Sequence, residues 1–463
     1  MLNDLSLLMQ PDDYGLLTDL YQLTMAACYV GEGLDQRRAS FELFVRRLPP
    51  GFGYLIAAGL ASALDYLENF RFTAEQLTAL KATGIFAGAP AEFWSLLASG
   101  RFSGDVWAVP EGTVIYANEP ILRVEAPLWQ AQIVETYLLN AINYQTLIAT
   151  RAARLRDVAG PDATLLEFGT RRAFSPQGAL WAARAALAGG IDATSNVLAA
   201  LKLGRKPMGT MAHALVMAIS ALEGSETDAF EAFHRYFPGA PLLIDTYDTV
   251  AAAKRLGQAP PKKLAGVRLD SGDLVALSQQ VRQALPGVPI FASGDLDEGE
   301  ILRLKQANAC IDGYGLGTKL VTGSPVNGVY KLVDIDGIPV MKEASGKLTY
   351  PGRKQIFRTA AGDRLGLVTE ETPTDISAAT PTEVSTNGQT EAEALLIPVM
   401  RHGERIGGVE TLEIIRQRAT ESVAQLPVAV RDVNNPVVPQ AEISNALQAL
   451  TDCTRRGQLA TVS

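Results

Sequence analysis

Histidine and cysteine are scarce in this 463-residue chain, with three of each, and aromatic residues make up only 7%. Cys28, Cys310 and Cys453 are scattered, odd in number and without CxxC spacing. That argues against a disulfide framework or a structural zinc site and fits a reducing compartment, by default the cytoplasm. Long apolar runs are missing too. The best candidate, GALWAARAALAGGIDATSNVLAAL, is interrupted by Arg184, a glycine pair and Asp192, so it is not a membrane span. The opening MLNDLSLLMQPDD lacks the basic start and apolar core of a secretory signal, and none is expected. Positive charge is in deficit, 41 Lys and Arg against 50 Asp and Glu, for a net charge of −9. This disfavours broad nucleic-acid binding and points to a small-molecule partner, although Arg171 and Arg172 can still hold an anion in a cleft. What remains is 47% hydrophobic, enough to bury a large core across two or three domains without staples.

From about Pro241 to Val321 one unit repeats: a short apolar run, an Asp- or Gly-rich turn, then an amphipathic helical stretch. APLLIDTYDTVAAAKRL, AGVRLDSGDLVALSQQVRQAL and VPIFASGDLDEGEILRLKQA are successive copies, and IDGYGLGTKLV opens a fourth. Asp245, Asp270 and Asp295 recur about 25 residues apart, each just after its apolar run, the spacing of consecutive βα units in a parallel sheet. The three acids therefore share one rim, at the C-terminal strand ends where a β/α barrel carries its chemistry. A competing reading is that each Asp simply caps the following helix. TLLEFGTRRA has the same strand-then-turn form, and GGIDATSNVLAALKLG offers Thr194 or Ser195 as a helix cap. Apolar residues keep helical spacing from about Trp129 to Val158. Before it, RASFELFVRRLPP and FSGDVWAVPEGTVIYANEPILRVEAP alternate like antiparallel strands, and the pattern returns in GVYKLVDIDGIPVMKEAS.

YGLGTKLVTG sets two glycines at a strand end before a helix start, where backbone amides can hold a phosphate monoester. Its spacing matches neither a P-loop nor a dinucleotide fingerprint. His213 stands alone in the apolar run MGTMAHALVMA, where a core histidine and a catalytic one are both open readings.

Taken together and in order, TDLYQLTM, FELFVRRLP, EFGTRRA, GGIDATSN, GTMAHA, LIDTYDT, VRLDSGDL, ASGDLDE and YGLGTKLV resemble the nicotinate phosphoribosyltransferase family. The resemblance implies an α/β fold, an irregular β/α barrel with a second α/β domain formed from both chain ends. Residues 1–125 would form the N-terminal α/β domain and 126–324 the barrel. Residues 325–463 would return to the first domain, with a flexible insertion near 370–393 rich in Thr, Pro, Ser and Glu. The implied activity makes nicotinate mononucleotide and pyrophosphate from nicotinate and phosphoribosyl pyrophosphate, coupled to ATP, in NAD salvage. Mg²⁺ is the implied metal and a homodimer with shared active sites the implied assembly, with no nucleic acid and no membrane.

By the same resemblance His213 accepts phosphate from ATP as a transient phosphohistidine. Asp270 and Asp295 are catalytic, and Asp245, Asp248 and Asp270 hold the metal. Phe168 stacks on the pyridine, and Tyr21 covers its other face from the second subunit. Arg171 and Arg268 meet the nicotinate carboxylate and pyrophosphate, in an undivided way, with Arg46 or Arg47 reaching the phosphates. Gly294, Gly315, Gly317 and Thr318 line the ribose and 5′-phosphate loops. His234 and His402 lie outside the matched motifs. A nicotinamide phosphoribosyltransferase and a non-enzymatic nucleotide-binding regulator remain the alternatives; a quinolinate phosphoribosyltransferase fits less well.

Overall fold

The computed structural model describes residues 9–258, 264–344, 347–370 and 392–462; the expected flexible insertion falls almost wholly outside the described residues. The chain divides into two compact units. Met1–Tyr144, Val326–Glu410 and Val438–Ser463 make the first, and Gln145–Pro325 with Thr411–Val437 the second. The first boundary falls inside the helix Glu135–Ala159 rather than at residue 125. The segment 411–437 joins the second unit instead of returning with the rest of the C-terminal chain. Its helix Leu412–Ala424 carries Arg416, whose guanidinium donates to the Gly190 and Ile191 carbonyls and meets Asp192 at 2.5 Å.

The first unit is built on a seven-stranded antiparallel sheet made from both ends of the chain. Arg38–Val45 lies between Gly328–Ile335 and Pro120–Pro127, and it is buried at every position after the first. A strand buried on both faces reads as a nearly continuous apolar run, and FELFV is one, with Glu42 the exception. The helix expected from Trp129 to Val158 is two, Leu128–Ile133 and Glu135–Ala159, separated at Val134.

The second unit has six strands: β1 (Thr164–Glu167), β2 (Ala193–Thr194), β3 (Leu242–Leu243), β4 (Val267–Leu269), β5 (Ile290–Ser293) and β6 (Gly313–Leu316). They form one sheet in the order β2-β1-β6-β5-β4-β3, every pair parallel. No ladder joins β2 to β3 among the described residues, so these two strands are the edges of the sheet. Because all six strands run the same way, the turns that follow them emerge along one edge. Alternating helices cover the sheet. Pro176–Ala188 shows how: Ser175 caps it by accepting from the Gly178 amide, and its alanines are buried. At its end Gly189 lies so close to the Ala149 carbonyl that a Cβ would collide there.

Candidate active site

The strand-end turns of the second unit are tied to one another by short polar side chains. After β3, Asp245 is buried, and its Oδ2 accepts from the Asp270 amide at 2.8 Å and the Ser271 hydroxyl at 2.8 Å. Its Oδ1 is buried and has no hydrogen-bond partner. After β4, Asp270 accepts from the Ser293 hydroxyl at 2.5 Å through Oδ1. Each carboxylate is thus fixed by one oxygen. Asp248 is exposed and its Oδ1 accepts from the Ala251 amide at 2.9 Å, capping the helix Thr249–Gln258. Among the described residues no three His, Cys, Asp or Glu side chains gather into a metal cage.

After β5, Gly294 and Asp295 both take positive φ, +93° and +46°. A Cβ on Gly294 would collide with the Asp270 carbonyl oxygen, so glycine is required where this turn crosses the end of β4. Asp295 then projects exposed from a left-handed position that costs a non-glycine residue backbone energy.

Arg268 lies one residue before the end of β4. Its Nε is buried and unpartnered. Burial pulls the guanidinium below its ordinary range, Asp270 and Asp245 pull it back, and Arg171 opposes them. The two acids and two arginines therefore act on one another electrostatically, Arg171 from an exposed position. Phe168, directly after β1, donates its amide to the Leu316 carbonyl at 2.7 Å. Its ring fills the space beside Gly315, where a Cβ would come within 2.6 Å of it. The helix after Gly317, Thr318–Val321, is a single turn.

His213 opens the helix His213–Glu223, and the chain before it is drawn to the same edge. Met208 donates its amide to the Thr194 carbonyl, and Thr210 donates its hydroxyl to Pro241 O at 2.6 Å. The ring is half-buried, with Nδ1 3.1 Å from Thr246 Oγ1, on the residue after Asp245. His402 sits exposed in a positive-φ turn of the first unit, and His234 in the last turn of Glu226–Tyr236.

Tyr21 belongs to the first unit. Its ring is 47% exposed, while its hydroxyl donates to Glu135 Oε2 at 3.2 Å. Burial of the hydroxyl and the Glu135 charge push its pKa up to about 12. Arg46, in the same unit, donates to Thr349 Oγ1 at 3.2 Å.

Five polar residues escaped the sequence reading as site residues: Glu167, Thr194, Thr246, Ser271 and Ser293. Glu167, Thr246, Ser271 and Ser293 bind a residue it did identify or sit next to one, and Thr194 binds Glu167. The helix cap sought at Thr194 or Ser195 is Asn196, which accepts from the Ala199 amide at 3.0 Å. Thr194 is thereby left for Glu167, at 2.5 Å.

The comparisons with known proteins agree over most of the chain. Residues 16–143 match the family model described as nicotinate phosphoribosyltransferase (NAPRTase) N-terminal domain, 163–290 the NAPRTase family and 353–451 the C-terminal domain. The chain is similar to nicotinate phosphoribosyltransferase pncB2 of Mycobacterium tuberculosis, 42% identical over 441 residues, covering 91% of this chain and 89% of that one. It is 43% identical over 389 residues to the Bacillus subtilis nicotinate phosphoribosyltransferase, covering 78% and 77%. The solved human nicotinic acid phosphoribosyltransferase superposes with a TM-score of 0.79 at 32% identity, over 94% of this chain and 99% of that chain. Motifs, parallel strand edge and relatives converge: the chain belongs to the nicotinate phosphoribosyltransferase family and is a phosphoribosyltransferase of NAD salvage.

Proposed function

We propose that the enzyme joins nicotinate to the ribose of phosphoribosyl pyrophosphate, with ATP hydrolysis coupled through His213, giving nicotinate mononucleotide, pyrophosphate, ADP and phosphate. The observation that carries this reading is the gathering on one strand edge of an aromatic face, Phe168, a guanidinium with an unpartnered Nε, Arg268, and two carboxylates each with an oxygen to spare. A buried guanidinium gains most from a charged planar partner, which favours the carboxylate of nicotinate over the amide of nicotinamide.

Breaking the bond between ribose C1 and pyrophosphate builds positive charge on the sugar and negative charge on the leaving group. Asp270 and Asp295 face the sugar, stabilising its charge and holding its hydroxyls. Arg171 and Arg268 divide the nicotinate carboxylate and the pyrophosphate between them. Gly294, Gly315, Gly317 and Thr318 leave room and amides for the ribose and its 5′-phosphate. Phe168 holds one face of the pyridine so that its nitrogen meets C1. Asp245 Oδ1 and Asp270 fit Mg²⁺ held partly through water, and the ion when bound neutralises pyrophosphate charge. Asp248 is the weaker donor, since its Oδ1 is spent on the helix cap.

His213 takes the γ-phosphoryl group of ATP onto a ring nitrogen, releasing ADP, and water later removes it as phosphate. Its place in the first turn of an eleven-residue helix puts that phosphate at the positive end of the helix dipole. A homodimer, in which Tyr21 of a second copy covers the pyridine, completes the site. Three unpaired cysteines agree with a cytoplasmic enzyme, and no described helix is long and apolar enough to cross a membrane.

His213→Ala tests the coupling. The variant should stay folded, lose ATP hydrolysis and the acid-labile label from γ-labelled ATP, and keep slow, ATP-independent nucleotide formation. A folded variant that still hydrolyses ATP in step with product formation contradicts the role.

A further inference from the structure

Glu167, at the end of β1, is 1% exposed and sits between the two turns that flank the aromatic side chain of the site. Its Oε1 accepts from the Gly169 amide, directly after Phe168. Its Oε2 accepts from the Thr194 hydroxyl at 2.5 Å, at the end of neighbouring β2, where Glu167 and Thr194 are paired in register. The Thr194 oxygen accepts in turn from the Asn196 amide at 2.9 Å, so its one proton is committed to Glu167. Position 169 has no room for a side chain, because a Cβ there would run into Val321 and the Glu167 carboxylate.

We infer that Glu167 is a positioning residue for the base: resting on the reading of Phe168 as the pyridine platform, its carboxyl group clamps the Phe168–Gly169 peptide to the end of β2 and so fixes the plane of the ring. The Phe168 amide is tied to Leu316 and its ring rests beside Gly315, which leaves the peptide on the far side of Phe168 as the remaining freedom. Glu167 removes it.

A residue kept only for stability would not be built this way. Neither donor to Glu167 is charged, and burial pushes its carboxyl above the usual range, against the pull of the Thr194 hydroxyl and the Gly169 amide. An acid whose pKa is raised on folding contributes stability below its unfolded pKa and loses it as pH rises through the folded value. Charge on Glu167 is thus costlier in the folded protein than in the unfolded chain. Glutamine has nearly the same shape and no such cost, but it offers one acceptor oxygen where the Gly169 amide and the Thr194 hydroxyl need two, so one of the two contacts is lost.

The test is a set of steady-state and melting measurements on the full-length enzyme. Glu167→Gln should raise the KM for nicotinate about tenfold, the scale of one charge-assisted hydrogen bond, with the KM for phosphoribosyl pyrophosphate unchanged and Tm equal to or above wild type. Thr194→Val should repeat the nicotinate effect without adding to it in the double variant, and Thr194→Ser should restore the wild-type KM. An unchanged nicotinate KM, an equal rise for both substrates, or a loss that follows a fall in Tm overturns the assignment. Failure of the wild type to convert nicotinate would instead overturn the proposed function on which it rests.

Discussion

In the first unit Glu42 meets Lys354 Nζ at 2.8 Å with one oxygen and accepts the Lys354 amide at 2.8 Å with the other. Asp363 there takes both arms of Arg358, at 2.8 and 2.6 Å. At the strand ends of the second unit Asp245, also buried, uses one oxygen on a neighbouring turn and leaves the other unpartnered. Acids of one chemical type therefore serve opposite ends. Where each oxygen faces a cation or an amide, the carboxylate joins distant parts of the chain, here residues 42 and 354. Where a hydroxyl and an amide fix only half of it, the other half is oriented and waiting. Arg268 repeats the pattern with the opposite sign, its Nε buried and open.

Breaking the two kinds of acid should give opposite signatures. Glu42→Ala strands Lys354 in the interior and should cost about 3–5 kcal/mol of stability in chemical denaturation, with kcat/KM of the folded enzyme near wild type. Comparable stability with lost activity would erase the distinction. Asp245→Asn should act the other way, lowering kcat/KM about 10²-fold or more while Tm stays close to wild type; a variant that loses activity only in proportion to its folded fraction would move Asp245 into the structural class. A smaller effect is expected from Asp192, which accepts from the Leu165 amide and from Arg156 and Arg416. Although burial raises its carboxyl, these partners together hold it below the usual range. Its stabilisation is therefore present above a pH of about 4 and lost as pH falls through the depressed value. The Tm advantage of wild type over Asp192→Asn should be constant near neutrality and vanish in acid. An advantage that grows as pH falls would reverse the sign.

The spacing of Asp245, Asp270 and Asp295 made the parallel strand edge legible, because a βα unit has a fixed length and the acid follows each apolar run. The same spacing could not say which acid does what. Capping was a fair rival reading, and the structure answers it residue by residue: the helices after β3, β4 and β5 are capped by Asp248, Asp273 and Asp297, each two or three residues later, which leaves the first acid of each turn uncommitted to a cap. The doubled acids in DTYD, DSGD and DLD were the visible signal. Glu167, Thr194, Ser271 and Ser293 were not legible, since a strand-end hydroxyl becomes meaningful only once the neighbouring strand is known, and β1 pairs with β6 across some 150 residues of chain. The one-turn helix after Gly317 was equally hidden. A glycine-rich turn announces where a helix can begin but carries no information on how long it lasts.

The most direct measurement uses two acids three residues apart in one turn. Asp270, fixed by Ser293, is assigned to the reacting sugar; Asp273 accepts from the Val275 and Ala276 amides and caps a helix. Pyrophosphate release from phosphoribosyl pyrophosphate, with nicotinate and ATP present, should fall about 10²-fold or more in Asp270→Asn at unchanged Tm. In Asp273→Ala it should stay within a few-fold of wild type, with about 1 kcal/mol of stability lost with the cap. Equal rates in the two variants, or a larger loss in Asp273→Ala, would contradict the division of labour at this strand edge.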